Sequence, residues 1–140
     1  MTEYVVREKF EVGEKATLSR GITEADIRDM AKVTGDSNPV HLDPEFAGKT
    51  RFGECIAHGL FCSGLISAVL GTKLPGPGAI YLNQSLKFLV PVRVGDTLTA
   101  EVEVTRWRED KRIISLATNC FNQDGVKVAE GEAVLMADRV

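Results

Sequence analysis

The chain has 140 residues, of which 44% are hydrophobic and 26% charged, with a formal net charge of -3. That length suits one domain with a real core, here residues 1–140, and the composition is that of an ordinary soluble protein. With no basic excess, the chain carries no electrostatic footprint for nucleic acid. The opening MTEYVVREKFEVGEK is charged and has none of the apolar run of a secretory signal. The longest apolar stretch, Gly59 to Leu70, is too short to span a membrane. Cys55, Cys62 and Cys120 form no CxxC or Cys/His metal spacing and sit among apolar residues. They are expected to be small buried hydrophobes in a chain suited to the reducing cytoplasm.

Taken in chain order, Ala16 to Arg20 is a short first strand. A helix follows, with Thr23 as N-cap and Asp26 three positions on in a variant of the capping box. Ile22 and Ile27 stand at the hydrophobic-staple positions, and Ile27, Met30 and Ala31 give the helix one apolar face. Gly35 ends it. The next segment, GDSNPVHLDP, cannot be helical throughout, because Pro39 and Pro44 push the residues before them out of the α region. Asp43-Pro44 starts a short helix over roughly PEFAGK. The segment IAHGLFCSGLISAVLG is apolar nearly all round, which predicts a helix buried on every side. LPGPG after it is a loop.

From Ala79 the period changes to two. Leu98, Ala100, Val102 and Val104 alternate with polar residues, and similar runs fall at Ile80–Leu89, Arg112–Phe121 and Val126–Met136. Turn signals near Gly95, at Glu109-Asp110 and at Asp124-Gly125 separate them. The sum is an α+β fold, an antiparallel sheet of about five strands wrapped around one buried helix, the arrangement called a hotdog fold.

Chemistry-bearing residues are few. The only histidines, His41 and His58, lack metal-ligand spacing to each other or to a cysteine, so neither a metal nor another cofactor is expected. Asp36 and His41 share one irregular loop. Extended, five residues would part their side chains by about 17 Å. The Asn38-Pro39 turn between them favours convergence, and a carboxylate and an imidazole on one water can take its proton and return one to carbon. Taken alone, a DxNPxH string is better explained by a local turn beside an exposed histidine.

The string GDSNPVH, with Gly35, Asp36, Asn38, Pro39 and His41, resembles the signature of the MaoC-like, R-specific enoyl-CoA hydratases (hydratase 2). HLDPEFA, the later AHG, LPGPGAIYLNQSLKF and PVRVGDTLTAEVEV are similar to the same family, so the resemblance spans nearly the whole chain. It implies that Asp36 and His41 activate water for addition to a trans-2-enoyl-CoA, giving an (R)-3-hydroxyacyl-CoA. It further implies that Asn38 shapes the loop, that Ser67 lies near the pair, and that the Gly59 N–H faces the thioester oxygen. Leu70 and Val134 fall on its acyl-pocket positions and imply a preference for short chains, near four to six carbons. The resemblance also implies a homodimer, with sites near the interface.

Physical chemistry agrees with several of these roles. Water addition builds negative charge on the thioester oxygen, which an N–H at a helix start stabilises. Ser67 reads almost equally well as a core hydroxyl bonded to the preceding turn. His58 reads as structural, with one ring nitrogen bonded within the fold. Between Ile56 and Gly71 there is no Asp or Glu, whereas dehydratases and many thioesterases of this fold carry an essential carboxylate on that helix. A thioesterase and a non-catalytic acyl-CoA-binding domain remain the rival readings.

Overall fold

The computed structural model describes residues 3–138; the two residues at each end of the chain lie outside that description. Among the described residues the elements run β1 (Lys15–Gly21), α1 (Glu24–Thr34), α2 (Pro39–Leu42), α3 (Pro44–Gly48), α4 (Leu60–Thr72), β2 (Ala79–Phe88), β3 (Thr97–Arg108), β4 (Ile113–Phe121) and β5 (Lys127–Ala137). The five strands form one antiparallel sheet in the order β1-β3-β4-β5-β2. No described helix is long and apolar enough to cross a membrane.

The period-two pattern sorts the sheet into two faces. Leu98, Ala100, Val102 and Val104 of β3, Ile114, Leu116 and Cys120 of β4, and Ala133 and Leu135 of β5 are all buried on the face that holds α4. Helix α4 contributes Cys62, Leu65, Ile66, Val69 and Leu70 to that core. Fully burying a side chain such as Leu70 or Leu116 stabilises the fold by about 1.5–3 kcal/mol, by removing its apolar surface from water. The hotdog arrangement inferred from periodicity is therefore the one observed.

One expectation about α4 needs correction. The helix is not covered all round within this chain. Leu60 is 51% exposed, and Gly64, Ser67 and Gly71 follow it at helical spacing as an open stripe. The stripe is narrow and built of small residues, so hydropathy alone did not separate it from the core face. Strand β2, an edge strand, is similarly open, with Ile80, Leu82 and Phe88 exposed at 44%, 50% and 57%.

The segment between β1 and α4 holds the three short helices α1, α2 and α3. Thr23 caps α1 through a complete capping box with Asp26, and both staple residues, Ile22 and Ile27, are buried. Gly35 closes α1 in the left-handed region at φ 81°, which glycine adopts without the penalty of a Cβ. The single turn of α2 was not expected. Asn38 caps it by accepting from the Val40 N–H, and Pro39 occupies its first position, where a missing N–H costs nothing.

Candidate active site

The Asn38 cap and Pro39 fold the loop back on itself, so that Asp36, just after α1, meets His41, at the end of α2. The carboxylate Oδ2 of Asp36 lies 4.0 Å from Nε2 of His41. That is beyond a direct hydrogen bond, but one oxygen can reach both atoms. The Asp36 side chain is 52% exposed and that of His41 only 10%. His41 Nδ1 lies 2.7 Å from the carbonyl oxygen of Ile56. Because a carbonyl only accepts, Nδ1 must carry a proton, and in the neutral ring Nε2 then keeps a lone pair facing Asp36. An acceptor nitrogen and an acceptor carboxylate at this distance are arranged to receive the two hydrogens of one water.

His58 completes the constellation. Its Nε2 lies 2.9 Å from the carbonyl oxygen of Asp36, and its ring stacks on that of His41 with centroids 3.9 Å apart and planes 30° apart. The bond of one ring nitrogen within the fold that the sequence led us to expect is present, with the backbone of Asp36 as its partner. Ligand atoms of Asp36, His41 and His58 all lie within 4.8 Å of one another, a set that sequence spacing did not suggest. Its chemistry suits a cation poorly. Two imidazoles bind one ion with lone pairs converging in their ring planes, whereas rings stacked at 30° direct theirs nearly side by side.

His41 and Gly59 both line a cavity of about 620 Å³, walled further by Phe52, Leu60, Phe88 and Val90. Gly59 is the N-cap residue of α4, and no side chain caps the helix there, so the positive end of its dipole lies on the same wall. A Cβ on Gly59 would meet Cε1 of Phe88 at 2.8 Å, so a side chain here would have to push that ring aside. Asp36, His41 and Gly59 are therefore brought to one region, with Asn38 acting on its geometry as the α2 cap.

The remaining sequence-predicted residues lie elsewhere. Ser67 is on the open stripe of α4, and Leu70 is 1% exposed in the core. Val134 alternates with the buried Ala133 and Leu135 and so occupies the opposite face of the sheet from Leu70. Neither Leu70 nor Val134 lines the cavity that holds His41 and Gly59. The two do not close one tunnel within a protomer. Cys62 and Cys120 are buried as expected, but Cys55 is only half-buried and lines a second cavity, of about 320 Å³, on which His41 also borders. Burial, with nearby Asp43, Glu24 and Glu54, holds the Cys55 thiol above its ordinary pKa.

A family model described as MaoC like domain matches residues 8–123. The chain belongs to the MaoC-like domain family. It is 50% identical over 128 residues to the (R)-specific enoyl-CoA hydratase of Aeromonas caviae, covering 91% of this chain and 96% of that protein. It is 48% identical over 128 residues to the 3-hydroxybutyryl-CoA dehydratase of Methylorubrum extorquens, covering 91% of this chain and 81% of that protein. The solved structure of the A. caviae (R)-hydratase involved in PHA biosynthesis superposes with a TM-score of 0.88, covering 92% of this chain and 98% of that one.

Proposed function

We propose that this MaoC-like chain is an (R)-specific enoyl-CoA hydratase, adding water to a trans-2-enoyl-CoA to give the (R)-3-hydroxyacyl-CoA. The observation that carries the reading is the 4.0 Å gap between Asp36 Oδ2 and His41 Nε2 beside a cavity shared with the start of α4. The named activities of relatives at 48–50% identity support it, and the R configuration rests on them.

In this mechanism the water donates one hydrogen to Asp36 and one to His41 Nε2, leaving an oxygen lone pair for carbon 3 of the substrate. As the carbon–oxygen bond forms, the pair removes a proton from the water. The alkene electrons move through carbon 2 onto the thioester oxygen. The N–H of Gly59 stabilises that developing charge where the α4 dipole is positive. Return of the proton from the pair to carbon 2 restores the thioester and the catalyst. The thioester already activates the alkene, so the mechanism needs no cofactor or metal.

We further propose a homodimer. An edge strand with Ile80 and Leu82 exposed, together with the open stripe of α4, is the kind of apolar surface that a second copy covers. Ser67 would then face the space between subunits and take part in the site only in the dimer. Three free cysteines suit the cytoplasm as the compartment. For chain length, Leu70 at the far end of α4 is proposed to stop an acyl tail that reaches past the cavity toward the core, a role that rests on the family resemblance alone.

The test is incubation of the protein with crotonyl-CoA. The reading expects loss of enoyl-thioester absorbance, formation of (R)-3-hydroxybutyryl-CoA and no free thiol. Thiol release would make the chain a thioesterase, and an unchanged thioester would leave a binding domain.

A further inference from the structure

His58 is 3% exposed, and it touches both members of the proposed pair. Its Nε2 faces the carbonyl oxygen of Asp36 and must be protonated to bond there. Its Nδ1 is then a bare lone pair, buried and without a partner among the described residues. Leaving a buried acceptor unpaired costs about 1–3 kcal/mol, whereas an apolar side chain of similar volume would fill the space without that cost. A histidine kept for packing alone would be a poor choice here. What it provides is a hold on the backbone of Asp36 and a flat surface beneath the His41 ring.

The neighbouring residues extend that hold. Ile56, two positions earlier, accepts from His41 Nδ1, and its own N–H donates to the Val40 carbonyl. Ala57 donates to the Val92 carbonyl at 2.7 Å, anchoring the segment. Gly59, next in the chain, starts α4. The run from Ile56 to Gly59 thereby sets the positions of His41, Asp36 and the helix start relative to one another.

We infer that His58 is a positioning residue of the hydration site: in its neutral, Nε2-protonated form it fixes Asp36 through the backbone and His41 through ring stacking, without itself touching the substrate. The inference rests on the hydratase reading for its kinetic readout only. A displacement of about 1 Å in a catalytic group can lower a rate on the order of 100-fold. Removing His58 is therefore expected to lower kcat and to leave KM and the fold little changed.

The experiment compares wild type, His58→Leu and His58→Gln on crotonyl-CoA, with thermal unfolding of each and nitrogen-15 NMR of the histidines. Leu keeps the volume but loses the donor; the Gln amide can restore the N–H toward Asp36. The expected result is a fall in kcat of about 10–100-fold for Leu with KM within a few-fold of wild type. Its Tm should be equal or higher, and Gln should recover most of the rate. In the wild type, His58 should show a protonated Nε2 and a bare Nδ1. Wild-type kcat in folded His58→Leu, no recovery by Gln, or a proton on Nδ1 of wild-type His58 would overturn the inference. The NMR arm needs no turnover, so it stands even if the substrate is a different thioester. Absence of hydration by the wild type would count against the hydratase reading and not against the placement of His58.

Discussion

A Cβ built on Gly59 would lie 2.8 Å from Cε1 of Phe88, so the start of α4 and the aromatic wall of the cavity are in direct contact. The obstructing atoms are the far end of a side chain that is 57% exposed. Gly59→Ala should therefore move the ring instead of unfolding the protein. The expected outcome is a lower kcat/KM on crotonyl-CoA with Tm changed by no more than a few degrees, measured side by side. Gly131 is the contrasting case, since a Cβ there would lie 1.8 Å from the backbone oxygen of Ser85 on the paired strand. Gly131→Ala must part β5 from β2, and a loss of about 1–3 kcal/mol or more in chemical denaturation is expected. Equal stability for the two variants would show that these close approaches do not govern the fold.

Leu70→Ala should cost about 2–5 kcal/mol, because Leu70 is 1% exposed and its loss leaves a cavity beside the sheet. As the proposed stop for the acyl tail, it should also shift kcat/KM toward longer enoyl-CoAs. The measurement is the specificity profile over chains of rising length. Wild type should favour four to six carbons. An unchanged profile in the variant would leave Leu70 as a core residue only.

The dimer is tested at the edge strand. Leu82 is 50% exposed on β2, and Leu82→Glu places a charge on the surface proposed to meet a second copy. Sedimentation should show a dimer for wild type and a monomer for the variant, with lower turnover if Ser67 contributes from a covered stripe. A monomeric wild type with full activity would remove the interface from the account.

Acid stability follows from the α1 cap. The Thr23 N–H donates to Asp26 Oδ2 at 2.9 Å and, with the Thr23 hydroxyl and Arg20, holds the Asp26 carboxyl below its ordinary pKa. A carboxyl whose pKa is lower in the folded state stabilises the protein above its unfolded value of about 3.9. That contribution is lost as pH falls from there through the folded value. Wild type should exceed Asp26→Ala in stability by a constant margin near neutral pH. The margin should shrink below about pH 4. A margin independent of pH would mean that the charge of Asp26 has no part in the cap.

Much of this was legible in the sequence because it rests on short-range rules. Strand alternation placed Leu98, Ala100, Val102 and Val104 on one face, and the Thr23, Asp26 and Gly35 signals gave the ends of α1. The Asn38-Pro39 turn made convergence of Asp36 and His41 feasible, but it was the resemblance of GDSNPVH to a family signature that singled them out. What escaped depends on contacts distant in sequence. The Ile56 carbonyl that fixes the tautomer of His41 is 15 residues away, and His58 is 22 residues from Asp36. The open stripe of α4 was hidden because Gly64, Ser67 and Gly71 look the same in hydropathy whether a sheet or a second subunit lies against them. Val134 was paired with Leu70 by family resemblance, and only strand alternation in the folded chain separates them.

The most direct test is a double-mutant cycle on Asp36→Asn and His41→Ala, with kcat/KM on crotonyl-CoA and Tm for all four proteins. If both groups hold one water, each single variant should lose about 10²–10⁴-fold, with the fold intact. The double variant should lose little more than the worse single, because removing either partner already disables the unit. Near-normal turnover by either single variant, or losses that multiply in the double, would contradict the shared water at the centre of this account.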